Sequence, residues 1–120
     1  MVGAENGIAV TWIDADATAW RSSVNNVEAW AAPALHGLAV GDELIVIAWF
    51  HQADRDVLQV HPRGETRNPL TGVFATRSPD RPNPLGLHTV TVRSIDGTRL
   101  RIGPIETIDG TPIVDIKPVL

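Results

Sequence analysis

The run GVFATRSPDRPNPLGLHTV, residues 72–90, constrains this chain more than any other stretch. A β-prone entry (Gly72, Val73, Phe74, Ala75) leads into Thr76, Arg77 and Ser78, and Pro79, Pro82 and Pro84 follow closely. Proline fixes φ and disfavours helical backbone at the residue before it, so Ser78, Arg81 and Asn83 are biased towards extended conformations. The run predicts a stiff, water-accessible loop between two strands, presenting Arg77, Asp80, Arg81 and Asn83 in preset directions. The plainer reading is a rigid surface connection. A connection alone would be shorter and would not need two arginines.

The rest of the chain reads as short strands punctuated by turn chemistry. Residues 8–13 alternate loosely, Asn25-Asn26 precedes a short run at 27–30, and residues 33–37 are expected as a helical turn or loop. Gly41-Asp42 starts the strongest strand, 43–51, and a further strand at 57–61 is stopped by Pro62. Residues 87–95 alternate cleanly, with Val90 and Val92 on one face and Thr89, Thr91 and Arg93 on the other. Asp96-Gly97 is a hairpin dipeptide, answered by 98–102 with Leu100 and Ile102 inward. Asp109-Gly110 is another turn, and 113–116 the last strand. Such strand density without a convincing amphipathic helix predicts an all-β barrel or sandwich. There is no Gly-x-Gly-x-x-Gly turn to open a dinucleotide fold. The length fits one domain, residues 1–120.

Composition narrows the function classes. The longest apolar run, residues 44–50, is strand-sized, so no membrane partner is expected. No charged-then-apolar leader opens the sequence, and the expectation is a cytoplasmic protein. The absence of cysteine excludes disulfides and thiolate metal sites. The net charge of −4 argues against a nucleic-acid partner, but its distribution qualifies that. Residues 51–88 hold Arg55, Arg63, Arg67, Arg77 and Arg81 against Asp54, Asp56, Glu65 and Asp80, a balance of +1, while the remainder stands at −5. This asymmetry permits RNA contact without predicting it.

Three further segments carry polar groups of interest. Phe50-His51-Gln52 ends an apolar strand in two hydrogen-bonding side chains, which either meet water or line a rim site. A metal role for His51 and His61 lacks a third ligand at diagnostic spacing, so no metal is expected. Arg77 carries a guanidinium whose charge never titrates away, suited to pairing a ligand carboxylate or stacking on a ring, or to bridging Asp80 or Asp109 structurally. Asp109-Gly110-Thr111-Pro112 reads alone as a hairpin turn. His61-Pro62-Arg63-Gly64 and Arg67 form a solvated turn or a contact for phosphate or a substrate carboxylate.

The signature run, together with LIVIAWFHQADRD (44–56) and DGTPIVDIKP (109–118), closely resembles the TsaA-like, or TrmO, family. The likeness is continuous from about Val27 onward. It implies a small closed or nearly closed β-barrel and an S-adenosylmethionine-dependent methyltransferase that N-methylates threonylcarbamoyl-adenosine in tRNA. It also implies that Phe50, His51, Gln52, Arg77, Leu87, Asp109, Gly110, Thr111 and Pro112 bind the methyl donor. Arg63, Arg81, Asn83 and Lys117 are then expected on the substrate side, and no residue is singled out as catalytic base. Family members are dimeric, and Trp12, Trp20, Trp30 and Trp49 suggest aromatic surface for a homodimer. The family's N-terminal Gly-x-(Ile/Val)-x-Ser-Pro start and Pro-Arg-Gln loop are not present as such. Trp20-Arg21-Ser22 stands where the latter would, giving Arg21 an expected donor contact, and Val119 replaces a usual tyrosine. The rival expectation is an S-adenosylmethionine-binding module, or a small-molecule methyltransferase that does not act on tRNA.

Overall fold

A computed structural model of the chain describes residues 12–14, 23–25, 27–105, 107 and 109–120. Its strands are β1 (Trp12–Asp14), β2 (Ser23–Asn25), β3 (Glu43–Trp49), β4 (Gln59–Val60), β5 (Thr71–Gly72), β6 (Leu85–Asp96), β7 (Arg99–Gly103) and β8 (Ile113–Pro118). A single turn of 3-10 helix lies at Val73–Ala75 and a longer one at Ala29–Leu35, while Pro62–Gly64 makes a tight turn with non-helical backbone at Arg63. The described residues group into two compact units. One comprises the residues through Trp49 together with Leu87–Leu120, the other Phe50–Gly86.

The first unit is a six-stranded sheet in the order β1-β2-β7-β6-β3-β8. Period-two alternation sets which side chains it buries. Leu44, Val46 and Ala48 of β3, Val90 and Val92 of β6, Leu100 and Ile102 of β7 and Ile113 of β8 are all at most 2 % exposed. Each such aliphatic side chain contributes about 1.5–3 kcal/mol of burial, Ala48 less. The β6–β7 hairpin is closed by Gly97 and Thr98, with φ of +59° at Gly97, the first central position, as a type II′ turn requires. A bulge at Arg93 follows, since Val92 opposes Ile102 but Ser94 opposes Arg101. β3 pairs antiparallel with β8, Val46 opposite Ile116, and shifts register between Ile47 and Ala48.

The mostly-β class is therefore present as an antiparallel sheet; among the described residues the strand order ends at β1 and β8 without a pairing that closes it into a barrel. Several local expectations are corrected. β3 stops at Trp49, two residues early, because Ala53 N–H returns to Phe50 O at 3.0 Å and turns the chain through His51 and Gln52. The strand expected over 57–61 shrinks to β4, and the β-prone entry 72–75 becomes a 3-10 turn after β5. Ala29–Leu35 winds as a 3-10 helix with Ala31 buried, longer and earlier than the turn expected at 33–37. β6 opens at Leu85, where the sequence places the start of an alternating strand, and just before it the Pro84 carbonyl accepts from Phe50 N–H at 2.7 Å.

Candidate functional site: an arginine-lined groove

The second unit is built on the short ladder of β4 and β5, with Val60 opposite Thr71. Between these strands the chain makes a tight turn in which Gly64 N–H donates to His61 O at 2.9 Å. Proline occupies the second position and Arg63 the third, at φ 61° and ψ 18°. That is the pattern of a type II turn, whose third position asks for a positive φ and ordinarily takes glycine. Asn68 fixes the turn: its Nδ2 donates to Pro62 O at 2.7 Å, while its carbonyl accepts from His61 Nδ1 at 2.9 Å. The bond to a carbonyl requires the imidazole proton on Nδ1.

Side chains as well as prolines hold the proline loop. Val73 is buried and donates its N–H to Leu58 O at 2.9 Å. Thr76 Oγ1 accepts from Ser78 N–H at 3.1 Å and donates to Val73 O at 3.0 Å. Arg81 is half-buried; its Nη1 donates to the carbonyls of Thr76 (2.9 Å) and Ser78 (3.3 Å), and its guanidinium lies 5.8 Å from the centre of the Phe74 ring. Asp80 Oδ1 accepts from Asp54 N–H, and Arg55 Nε donates to Pro82 O, both at 2.9 Å. At the loop's end Gly86 is buried against Phe50, and a Cβ placed on it would run into that ring. Here glycine is required by a close approach.

These two wired turns face one groove of about 790 Å³, lined among others by His61, Arg63, Thr76, Arg77, Ser78 and Asp80. Arg63 and Arg77 are both exposed, and among the described residues neither guanidinium is engaged by a hydrogen bond or ion pair. The groove thus offers two free, permanently charged forks, which suit a carboxylate or phosphate. Among the described residues no cluster of three or more His, Asp or Glu is arranged to hold a metal.

The structure brings Arg63 and Arg77 together and places the other expected site residues as follows. Phe50, His51, Gln52, Arg81 and Asn83 belong to the same unit, with His51, Gln52 and Asn83 exposed. Leu87, the turn 109–112 and Lys117 belong to the sheet unit. There Leu87 is 53 % exposed, Gly110 takes φ +82°, and Thr111 is buried. Pro112 O accepts from Trp49 N–H at 2.9 Å, seating the turn at the start of β8. Lys117 Nζ lies 3.7 Å from Asp115 on the surface. Arg21 lies outside the described residues. Sequence reasoning passed over Phe74, which is 74 % exposed despite its apolar ring. Its signal was a large aromatic directly before a polar loop.

A small antiparallel β-protein with a preorganised, anion-suited groove is the class that fold and site define. The family model of the tRNA-methyltransferase O N-terminal domain matches residues 14–120. A probable S-adenosyl-L-methionine-binding protein of Methanocaldococcus jannaschii is 52 % identical over 87 residues, covering 69 % of this chain and 69 % of that relative. The tRNA (adenine(37)-N6)-methyltransferase of Escherichia coli is 39 % identical over 95 residues, covering 74 % of this chain but 40 % of its own length. The crystal structure of TrmO from Pseudomonas aeruginosa superposes with a TM-score of 0.66 at 26 % identity, over 94 % of this chain and 55 % of that one. The chain belongs to the tRNA-methyltransferase O N-terminal-domain family.

Proposed function

We propose that this protein is an S-adenosylmethionine-dependent methyltransferase acting on tRNA, with threonylcarbamoyl-adenosine or a related nitrogen nucleophile as the acceptor. The observation that carries the reading is the groove of about 790 Å³ with the unengaged Arg77 guanidinium on its wall. Its size lies within the range of small-molecule sites. The names of the M. jannaschii and E. coli relatives support the donor and the acceptor respectively.

In this reading the Arg77 fork pairs the donor carboxylate. Phe50, His51, Gln52, Leu87, Asp109, Gly110, Thr111 and Pro112 are proposed as further donor-binding residues, as the family resemblance implies. Arg63, Arg81, Asn83 and Lys117 serve the acceptor, Arg81 by holding the loop that carries Arg77 and Asn83. S-adenosylmethionine supplies a methyl group already activated on a sulfonium. The work left to the chain is to hold a nucleophile in line with it and keep water out. His51, exposed just beyond β3, is available to accept the proton that an amide-like nitrogen must lose. The proposed working form is a cytoplasmic homodimer whose sheet closes towards a barrel. Sedimentation at tens of micromolar, an order-of-magnitude choice, is expected to return twice the 12.9 kDa chain mass; a strict monomer counts against the dimer.

Incubation with methyl-labelled S-adenosylmethionine and either total cellular tRNA or a small-molecule extract tests the proposal. Label in tRNA, at an adenosine beside the anticodon, is the expected result. The second reading, a binding module without chemistry, is favoured by the name of the M. jannaschii relative. It predicts calorimetric binding of the donor with no label in either pool.

A further inference from the structure

We infer that the second unit carries a docking surface for single-stranded RNA, in which Arg63 takes a backbone phosphate and the open face of Phe74 takes a base. The inference rests on the tRNA reading above and adds where on this chain the nucleic acid is held.

Phe74 is the first observation. A phenylalanine 74 % exposed is costly to leave in water, and its ring is not loose. The Arg81 guanidinium sits 5.8 Å from the ring centre and is itself pinned to the carbonyls of Thr76 and Ser78. An aromatic ring held from one side by a fixed cation and open on the other is the arrangement on which unstacked bases settle. RNA-binding proteins read single strands in this way, with base faces on aromatic side chains and phosphates on basic ones.

Arg63 is the second. Positive φ is rare for a residue with a long side chain and persists only where the surroundings over-determine it. Here Pro62, Gly64, His61 and Asn68 do so. The result is an exposed, unengaged guanidinium on a rigid turn, facing the same groove as Thr76, the residue whose carbonyl holds Arg81. The third observation is charge. The unit from Phe50 to Gly86 has five arginines against four acids, whereas the rest of the chain has five basic residues against ten acids. The charge balance therefore opposes a polyanion less at this unit than over the rest of the chain, and the two arginine and aromatic features decide where it docks.

The test uses the full chain and a fluorescein-labelled oligoadenylate about ten nucleotides long, within the usual single-strand site size, read by anisotropy across a salt series. Arg63→Gly removes the guanidinium while placing at φ 61° the residue that suits it. Its urea midpoint is expected to match or exceed wild type, while the slope of log affinity against log salt shrinks by about 0.7, one phosphate's share. Phe74→Leu is expected to weaken binding roughly five- to hundredfold with the slope unchanged, the signature of a lost stack. Donor affinity by calorimetry should not move in Phe74→Leu, whose ring does not line the donor groove. Wild-type slope in Arg63→Gly, or wild-type affinity in Phe74→Leu, overturns the inference. So does a dimer that Phe74→Leu dissociates while RNA binding persists, which would assign the ring to a second copy of the chain. If wild type methylates tRNA yet both variants bind RNA normally, this inference fails alone; if wild type neither binds RNA nor transfers methyl groups, the functional reading fails with it.

Discussion

Arg77 is the residue on which the proposed donor site turns. Arg77→Ala should weaken S-adenosylmethionine binding by roughly 1.5–3 kcal/mol, or about ten- to hundredfold, the range for a hydrogen bond to a charged group. Arg77→Lys should restore only part of it, because a point charge cannot reproduce the planar fork. Calorimetry reads both, and the urea midpoint should stay put since the side chain is exposed. Gly86 behaves in the opposite way. A Cβ there meets the Phe50 ring, so Gly86→Ala should cost about 1–3 kcal/mol of stability by overpacking. Adding Phe50→Leu should recover part of that in chemical denaturation; no recovery would mean that the ring is not what resists the methyl group. At this scale the sequence was informative about identity and poor about direction. Arg77 was legible as an open cation because it stands between a β-prone stretch and the proline loop. Arg81 was not, since nothing local says that its guanidinium folds back onto Thr76 and Ser78. In Pro62-Arg63-Gly64 the glycine advertises the positive φ, and only the wiring through Asn68 reveals that Arg63 adopts one as well.

Among the elements, the strands with one buried face declared themselves. Val90 and Val92, and Leu100 and Ile102, alternate with polar residues because one side of β6 and β7 meets the core and the other meets water. The stretch 72–75 misled for a physical reason. Val73 and Phe74 have high β-propensity, but the chain turns there instead, Thr76 N–H closing onto Val73 O at 3.0 Å while Val73 is buried and Phe74 is left exposed. The loop that follows depends on Arg81 as a clasp. Arg81→Met keeps the bulk and loses the donors to two carbonyls, so the loop should loosen by about 1–2 kcal/mol. Trypsin cleavage at the exposed Arg77–Ser78 bond is the readout, and it should quicken while the global midpoint moves little. Unchanged cleavage would mean that the three prolines hold the loop unaided. The turn at 109–110 was legible from Asp-Gly alone, with Gly110 at φ +82°, but the burial of Thr111 behind it was not.

Over the whole molecule, stability should depend on pH through His88. Burial lowers the pKa of this half-buried imidazole of β6 below its ordinary value near 6.5. The unfolded chain then binds the proton more readily than the folded one, so stability is complete above about pH 6.5 and declines as pH falls from there towards the folded value. His88→Gln should flatten that part of the urea-midpoint profile between pH 7.5 and 5.5, about the range in which an imidazole titrates. A slope that survives the substitution would assign it to other groups. The all-β class followed from strand density, whereas closure of the sheet is a property of strand pairing over long sequence separations, which no local pattern encodes. The contact between Phe50 and Gly86 also bears on how such a chain could vary. With the hydrogen bond from Phe50 N–H to Pro84 O beside it, the two ends of the 50–86 excursion are buttoned to each other. Closing the excursion is thereby already accomplished at its neck, and doubling what lies inside would raise the entropic cost by only about 0.6 kcal/mol. The tips of this cassette can therefore vary in length and sequence while the strands that leave and rejoin the neck keep their register.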